Sequence, residues 1–311
     1  MTYLAKPKLH HPSLARNHAG YTRRDYEGKI STLCAGCGHD SISASLIQAC
    51  WELDIQPHRV AKLSGIGCSS KTPDYFLGNS HGFNSVHGRM PSVLTGANLA
   101  NRDLLYLGIS GDGDSASIGI GQFIHCIRRG VNMVYIVENN GVYGLTKGQF
   151  SATATKGSKS NRGVLNPDEP VDLVGMALLL RATFVARAFS GDKQQLVPLI
   201  KAAIQHPGPS FIDVISPCVA ADYAPGEVIS VAQHDGSLLR LRKVAHDYDP
   251  TDRIKAMNYV QEHAAAGEIV TGLLYVSPEA ADLHQYIKTV DTPLNQLGTR
   301  DLCPGSAALE K

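Results

Sequence analysis

Gly111-Asp112-Gly113-Asp114-Ser115 is the stretch that decides the fold, because it joins a buried apolar run to a helix-like pattern. The preceding run, Leu104 to Ser110, predicts a strand, and Ser115 to Arg129 predicts a helix. Asn132 to Glu138 predicts a second strand, which ends at Asn139-Asn140. A strand, a helix and another strand in this order form a βαβ unit, which is typical of a parallel sheet.

The alternation of strands and helices continues on both sides of this unit. The remaining predicted strands are Arg59 to Leu63 and Phe211 to Ile215. The remaining predicted helices are one that begins with Asp40 or Ser41 as its N-cap, one over residues 171–182, and one capped by Asp192. We therefore expect an α/β fold with a mostly parallel sheet and helices on both faces.

The 311 residues are about twice the length of an average domain and divide into three parts. Residues 1–30 are polar and rich in histidine and arginine, which indicates an N-terminal arm. Residues 31–218 carry the alternating pattern and form the main domain. Residues 219–311 change to turns, charges and one helix from Asp252 to Ala266, with Thr251 as its possible cap, so we expect a C-terminal extension.

Composition excludes several classes of function. The 29 basic and 28 acidic residues give a net charge of +1, which is not the footprint of a nucleic-acid-binding protein. No apolar run approaches the roughly 18 residues that span a bilayer, and Met1 to His11 does not resemble a signal peptide. We expect a soluble cytoplasmic protein. The charged fraction of 18% is low, which suggests that a partner subunit covers part of the surface.

Seven cysteines without an export signal favour metal binding or redox chemistry over disulfides. Cys34 and Cys37 form a C-x-x-C pair, Cys68 follows a glycine-rich turn, and Cys218 follows Ser-Pro. Of the others, Cys50 and Cys126 fall in apolar helix patterns and are expected in the core, whereas Cys303 has no predicted role. A C-x-x-C pair alone serves zinc, thiol exchange and iron–sulfur clusters alike.

A metal and diphosphate site is predicted where the two strands of the βαβ unit end. Asp112 follows the first strand, and Asn140 stands 28 residues later at the end of the second. The carboxyl ends of adjacent parallel strands form the ligand-binding edge of such sheets. Gly111-x-Gly113-x-x-Ala116 also fits a dinucleotide fingerprint, with Glu138 at the ribose. Because Asp112 would repel a pyrophosphate unless a cation lay between them, we favour Mg²⁺ bound by oxygen ligands.

The spacing of Gly111-Asp112-Gly113 from Asn139-Asn140 resembles the signature of thiamine-diphosphate enzymes. Further segments make the resemblance narrower: STLCAGCGHD from Ser31, SGIGCSSK from Ser64, HGRMPSVLTGANLAN from His87, NNGVYGLTKGQ from Asn139 and SPCV from Ser216. Together they resemble the β subunit of the 2-oxoacid:ferredoxin oxidoreductases over roughly residues 30 to 220. The resemblance implies a thiamine-diphosphate-binding fold.

The resemblance also implies which residues form the site. Asp112, Asn140 and a backbone carbonyl just beyond it, that of Val142, would bind Mg²⁺. The cofactor would be held by Gly67, Gly111, Gly113, Asp114 and Asn139, with His87 and Arg89 as candidates for phosphate groups of the cofactor or of coenzyme A. Lys71, just after Cys68, is the candidate for the carboxylate of a 2-oxoacid.

Cys34, Cys37, Cys68 and Cys218 match the four family positions that hold one [4Fe–4S] cluster. The residue types alone leave zinc open, because both groups bind four cysteines. Cys68 favours the cluster, since it lies in the glycine-rich loop expected near the diphosphate, and electron transfer requires a short distance.

The resemblance finally implies a reaction and its partners. A 2-oxoacid would lose CO₂ at thiamine diphosphate, coenzyme A would accept the acyl group, and ferredoxin would carry the electrons away, or the reaction would run in reverse. 2-Oxoglutarate is favoured over pyruvate. The chain has no room for a pyrimidine-binding domain, so we expect an α subunit in an αβ heterodimer or its dimer. The alternatives are a non-redox thiamine-diphosphate decarboxylase or synthase subunit with a structural zinc, and a nicotinamide-binding module.

Overall fold

The computed structural model describes residues 11–160, 162–218, 228–232, 237–288, 291–303 and 305. The strands of this part of the chain are β1 (Val60–Ser64), β2 (His81–Asn84), β3 (Leu105–Gly111), β4 (Met133–Asn139), β5 (Val142–Tyr143), β6 (Gln149–Phe150), β7 (Phe184–Phe189), β8 (Pro209–Ile215), β9 (Val228–Ala232), β10 (Leu238–Lys243) and β11 (Ile269–Val276). Nine of them form one sheet in the order β2-β1-β3-β4-β8-β7-β11-β10-β9, and β5 and β6 form a separate two-stranded hairpin.

Helices cover both faces of the sheet. They are α1 (Gly38–Glu52), α2 (Met90–Ala100), α3 (Ile120–Arg129), α4 (Leu173–Leu179), α5 (Lys193–Gln205), α6 (Arg253–Ala265), α7 (Leu283–Ile287) and α8 (Thr299–Leu302). The helices α1 and α5 pack on one face, and α2, α3, α4 and α6 pack on the other. Cys50 and Cys126 are fully buried in these two layers, as predicted. In the part of the chain that the structure describes, no helix has the length and apolar character needed to cross a bilayer.

The predicted βαβ unit is confirmed. β3 and β4 are neighbouring parallel strands, and Gly111 at the end of β3 pairs with Glu138 near the end of β4. The sheet from β2 to β7 is parallel throughout, which buries apolar side chains on both faces and agrees with the continuous apolar runs. The predicted α/β fold is therefore the observed one.

The prediction that the α-helix begins at Ser115 is wrong. Residues Gly113–Ile118 form a wide π-helical turn, and the α-helix begins only at Ile120. The amide of Gly119 donates to the carbonyl of Asp114 at 2.8 Å, a bond across five residues. Gly119 packs directly against Gly88, so tertiary contact with a neighbouring loop widens the turn. Gly130 ends the helix in the left-handed conformation.

Two predicted N-caps are also wrong. Helix α1 begins at Gly38 rather than after Asp40 or Ser41, because the amide of Gly38 donates to the carbonyl of Pro217, a contact that no local pattern reveals. Helix α6 is capped by Asp252, whose carboxylate accepts two amide hydrogens. The predicted cap Thr251 instead bonds to Asp249. The cap at Asp192 is confirmed.

Several elements have no counterpart in the sequence prediction. These are β2, an exposed edge strand, and β7, which no sequence pattern predicts within the main domain. Helix α4 is predicted, but it is shorter than residues 171–182 because Arg181 adopts a left-handed conformation. β11 pairs antiparallel with β7, so strands from beyond residue 218 extend the same sheet. The division of the chain at residue 218 stays a prediction, and residues 1–10 of the predicted arm lie outside the described residues.

Candidate functional site

A cavity of about 110 Å³ lies beyond the carboxyl ends of β1, β3 and β4. Five segments of the main domain surround it, and most residues of the predicted site lie among them. The lining residues relevant here are Gly67, Cys68, His87, Gly111, Asp112, Gly113, Asp114, Glu138, Asn140, Val142 and Tyr143. The strand ends of the βαβ unit therefore bring the predicted metal and cofactor residues to one place.

Both glycines of the Gly111-Asp112-Gly113 turn are needed because neighbouring side chains lie too close to them for a Cβ atom. A Cβ atom on Gly113 would lie 2.5 Å from the ring of Tyr143, whose hydroxyl donates to the carbonyl of Gly113 at 3.0 Å. A Cβ atom on Gly111 would lie 2.9 Å from Oγ of Ser69. A side chain at either position would fill the space around the turn.

Asp112 is a buried carboxylate at the centre of this turn. Oδ2 accepts hydrogen bonds from the hydroxyls of Ser151 and Thr153, and Oδ1 accepts one from the amide of Asn140 at 3.3 Å. Burial raises the pKa of Asp112, and none of the groups that shift this pKa is a cation. A buried carboxylate without a cation is costly, so its oxygens fit a divalent ion such as Mg²⁺.

The two asparagines have different environments. Asn140 lines the cavity, and its side-chain oxygen accepts from the amide of Val142 at 3.1 Å. Asn139 lies outside this cavity, where its amide group donates to Asp213 and its oxygen accepts from Thr153. Asn139 thus positions the loop, while Asn140 offers an oxygen to the site.

A buried ion-pair network behind Asn139 was missed at the sequence level. Arg187 on β7 donates through Nε to Asp213 at 2.9 Å and through Nη2 to Asp172 at 2.8 Å. Burial raises the pKa of Asp213, and Arg187 opposes the rise. Because Asp213 also holds Asn139, the network reaches Thr153 and Asp112 through hydrogen bonds. The single arginine inside the apolar run Phe184–Phe189 is the sequence signal for it.

Asp114 ties three segments together. Its carboxylate accepts hydrogen bonds from the amides of Ile66 at 3.2 Å and Gly88 at 2.7 Å, and from the hydroxyl of Ser110. A Cβ atom on Gly65 would lie only 1.8 Å from Oδ2 of Asp114. Asp114 therefore fixes the loop before Cys68 and the loop before α2 relative to the Gly111-Asp112-Gly113 turn.

The three residues predicted to bind anionic groups differ in their position relative to the cavity. His87 lines the cavity, and its Nδ1 lies 2.5 Å from Oδ1 of Asp114 without hydrogen-bond alignment. Arg89 is exposed at the start of α2 and does not line the cavity. Lys71 is half-buried in the helical turn after Cys68, also outside the cavity lining, and its charge opposes part of the rise that burial causes in the pKa of Cys68.

Four cysteines from three segments of the chain approach one another beside the cavity. The amide of Cys37 donates to the carbonyl of Cys34, and the adjacent Gly38 is bonded to Pro217, next to Cys218. Burial raises the pKa of Cys37 to about 12, with a further contribution from Cys218, and burial likewise raises that of Cys68, with contributions from Cys218 and Cys34. The thiols are thus close enough to interact electrostatically.

The chemistry of four thiols fits an iron–sulfur cluster or zinc. Within the described ranges, no three His, Cys, Asp or Glu side chains already stand at the spacing of a single metal ion. Cys68 lines the cavity that holds Asp112, so any group bound by the cysteines would adjoin the thiamine site. Cys303, by contrast, is exposed in the C-terminal part.

A buried carboxylate lies between the turn and the cysteines. Oε2 of Glu138 accepts from the hydroxyl of Thr72 at 2.9 Å, while Oε1 accepts no hydrogen bond from the described residues. His39 is next to it and pairs with the hydroxyl of Ser216 at 2.7 Å. Burial raises the pKa of Glu138 well above its usual value and lowers that of His39 to about 4. Oε1 of Glu138 is thus a buried polar atom at the cavity wall without a hydrogen-bond partner among the described residues.

Comparison with known proteins agrees with this geometry. Residues 65–214 match the family described as "Thiamine pyrophosphate enzyme, C-terminal TPP binding domain". This range contains the cavity-lining loop of Cys68, both strand ends of the βαβ unit and Asp213. The chain thus carries a thiamine-diphosphate-binding domain.

Relatives in sequence show which class of thiamine-diphosphate enzyme the chain belongs to. The chain is 35% identical to "2-oxoacid:ferredoxin oxidoreductase 1, subunit beta" of Aeropyrum pernix, over 80% of this chain and 78% of that protein. It is 36% identical to "2-oxoglutarate oxidoreductase subunit KorB" of Mycobacterium tuberculosis over 76% of this chain, and the match spans 64% of that protein, just under two thirds of its length. The chain belongs to the β subunits of the 2-oxoacid:ferredoxin oxidoreductases.

A solved structure has the same fold over almost the whole length. It is titled "2-oxoglutarate:ferredoxin oxidoreductase from Magnetococcus marinus with 2-oxoglutarate, coenzyme A and succinyl-CoA bound", with a TM-score of 0.76 and 30% identity. The likeness covers 96% of this chain and 100% of that chain. These relatives are oxidoreductases, so they do not favour the zinc-containing decarboxylase or the nicotinamide-binding module.

Proposed function

We propose that this chain is the β subunit of an enzyme that oxidises 2-oxoglutarate. In this reaction 2-oxoglutarate and coenzyme A give succinyl-CoA and CO₂, and two electrons leave one at a time to ferredoxin. Pyruvate is the next candidate substrate. The observation that supports the proposal best is that Cys68 lines the same cavity as the Gly111-Asp112-Gly113 turn, so a redox group bound by Cys68 would lie beside a cofactor bound at the turn.

Thiamine diphosphate, when bound, supplies the electron sink for decarboxylation. Asp112, the side-chain oxygen of Asn140 and the carbonyl of Val142 would hold its Mg²⁺, and Gly67, Gly111 and Gly113 would leave room for the diphosphate. Ser151 and Thr153 orient the carboxylate of Asp112. Asp114 links the same turn to the loop that precedes Cys68, because its carboxylate accepts a hydrogen bond from the amide of Ile66.

Cys34, Cys37, Cys68 and Cys218 would hold a [4Fe–4S] cluster. Because burial holds the pKa of Cys37 at about 12, this thiol is protonated at neutral pH until a metal binds. Ligand formation must then release its proton, so metal loading of the metal-free chain should strengthen as the pH rises.

Catalysis needs a second subunit. The exposed fraction of Ile118 is 47%, and its backbone lies against Gly88. The exposed fraction of Val86, two residues before Gly88, is 75%. An α subunit that supplies the pyrimidine-binding half of the site would cover this rim, in an αβ heterodimer or its dimer. Lys71 and His87 are the proposed contacts for substrate or phosphate groups.

The proposed function is tested with the two subunits produced together without oxygen. We expect coenzyme-A-dependent reduction of ferredoxin with 2-oxoglutarate, and a lower kcat/KM with pyruvate. The matched control is the same protein without thiamine diphosphate and Mg²⁺. Release of CO₂ from 2-oxoglutarate without any reduction of ferredoxin would contradict the proposal and indicate a non-redox decarboxylase.

A further inference from the structure

Gly144 lies against two of the four cysteines. A Cβ atom at this position would be 3.5 Å from Sγ of Cys68 and 3.8 Å from Sγ of Cys218. The two sulfur atoms therefore lie no farther apart than 7.3 Å, the sum of these distances. Gly144 follows β5 in the loop of the hairpin and lines the cavity together with Val142 and Tyr143. A side chain at this position would thus contact two of the cysteine sulfurs.

The backbone does not require a glycine at this position. In the same hairpin Gly141 has a φ of 74° and Gly148 a φ of 92°, values that other residues adopt only at a cost. Gly144 is not among the glycines with positive φ. Its special property is therefore the missing side chain, and the space that this leaves is next to the sulfur atoms.

The hairpin cannot easily move away to make room. On one side the amide of Val142 is bonded to Asn140, and the hydroxyl of Tyr143 is bonded to Gly113. On the other side the amide of Lys147 donates to the carbonyl of Gly144, and the amide of Gly148 donates to that of Tyr143. A methyl group at position 144 would stay close to both sulfurs.

The size of the bound group decides what such a methyl group would do. A single tetrahedral Zn²⁺, with Zn–S bonds of about 2.3 Å, holds its sulfurs about 3.8 Å apart, and the methyl group would only touch them from outside. A cluster places four irons and four sulfides between its cysteines and spreads the sulfurs. A methyl group 3.5 and 3.8 Å from two sulfurs that a cluster spreads towards the 7.3 Å limit would lie between them, against the face of the cluster that bridges them.

We propose that Gly144 is a specificity-determining residue of the cysteine site. Because it has no side chain, it leaves the additional volume that a polynuclear iron–sulfur cluster needs and a single metal ion does not. The inference rests on the proposed function, in which these cysteines hold the cluster. It predicts that the substitution Gly144→Ala changes which metal the site accepts, and not whether the thiols form a site.

The test compares iron loading with the uptake of a single ion. Wild-type protein, Gly144→Ala and the control Gly121→Ala are each produced with the α subunit without oxygen. The control is a helical glycine at which a Cβ atom would meet nothing within 4 Å in the described part of the chain. For Gly144→Ala we expect iron and sulfide per chain to fall at least about fivefold, because packed interiors do not absorb an added methyl freely. Gly121→Ala should match wild type.

The metal-free proteins are then titrated with Co²⁺, followed by the absorption of the thiolate-bound ion. Gly144→Ala should bind Co²⁺ within about twofold of wild type, since a single ion leaves room for the methyl group. Cys218→Ser should lose both iron and tight Co²⁺ binding.

Full iron loading of Gly144→Ala would overturn the inference and leave the proposed function intact. Parallel loss of iron and Co²⁺ would also overturn it, because the substitution would then disrupt the site as a whole. Wild-type protein that holds zinc and no iron would instead contradict the proposed cluster, and the inference with it.

Discussion

Replacing Arg187 by methionine should cost a large share of the stability of the fold. The guanidinium group donates to Asp213 at 2.9 Å and to Asp172 at 2.8 Å, and the exposed side-chain fractions of Arg187 and Asp213 are only 9% and 3%. Removing one partner of such a buried pair costs about 3–5 kcal/mol, because an uncompensated charge stays behind. Asp172 is 34% exposed and contributes little of this cost.

The loss depends on pH in a defined direction. Burial already raises the pKa of Asp213 despite Arg187, and without the guanidinium this pKa must rise further. A carboxyl group whose pKa is higher in the folded than in the unfolded state favours folding at low pH, and this contribution disappears as the pH rises through the folded pKa. The difference between Arg187→Met and wild type should therefore be largest at pH 7 and shrink towards pH 5.

Urea denaturation at both pH values measures this difference. The double variant Arg187→Met/Asp213→Asn should recover part of the loss, because the stranded charge is gone. Lys156→Met, which breaks only an exposed ion pair with Glu169, should leave the urea midpoint unchanged. A loss below about 1 kcal/mol at pH 7, or one that is the same at pH 5, would refute the reasoning about a buried charge.

Three further predictions concern the site. Asp112→Ala should abolish thiamine diphosphate binding in Mg²⁺, measured by calorimetry on the two-subunit protein, while the urea midpoint stays near wild type; binding at wild-type affinity would exclude Asp112 as the metal ligand. Serine at any of the four proposed ligands should reduce iron per chain, whereas serine at the other three cysteines should not; the ligands are Cys34, Cys37, Cys68 and Cys218, and the others Cys50, Cys126 and Cys303. Lys71→Ala should lower kcat/KM for 2-oxoglutarate at least about tenfold, with Lys71→Arg recovering only part and the iron content unchanged; kinetics within about twofold of wild type would remove Lys71 from the site.

The part of the site that local sequence predicts is the part built from strand ends. Apolar runs and glycines predict β3, β4 and the turn between β3 and α3, and parallel pairing then brings Asp112 and Asn140 together. Such patterns are short-range, so they are visible in the sequence. The resemblance to a family added the cysteines, whose segments are far apart and meet only in the folded chain.

What local patterns could not predict depends on contacts between distant segments. Ser151 and Thr153 hold Asp112, yet they stand in a loop without apolar periodicity. The position of Lys71 outside the cavity lining follows from the helical turn after Cys68, which a glycine-rich loop does not indicate. The wide turn at Gly113–Ile118 needs Gly88 from another loop.

The most direct test of the account is whether substrate reduces the proposed cluster. Two-subunit protein loaded with thiamine diphosphate and Mg²⁺, without oxygen, should contain iron and sulfide and absorb broadly at about 400 nm. Adding 2-oxoglutarate and coenzyme A without ferredoxin should bleach this absorbance, and ferredoxin should restore it. Zinc in place of iron, or an iron absorbance that dithionite bleaches and 2-oxoacids leave unchanged, would contradict the claim that the thiamine site and the cysteines form one electron-transfer unit.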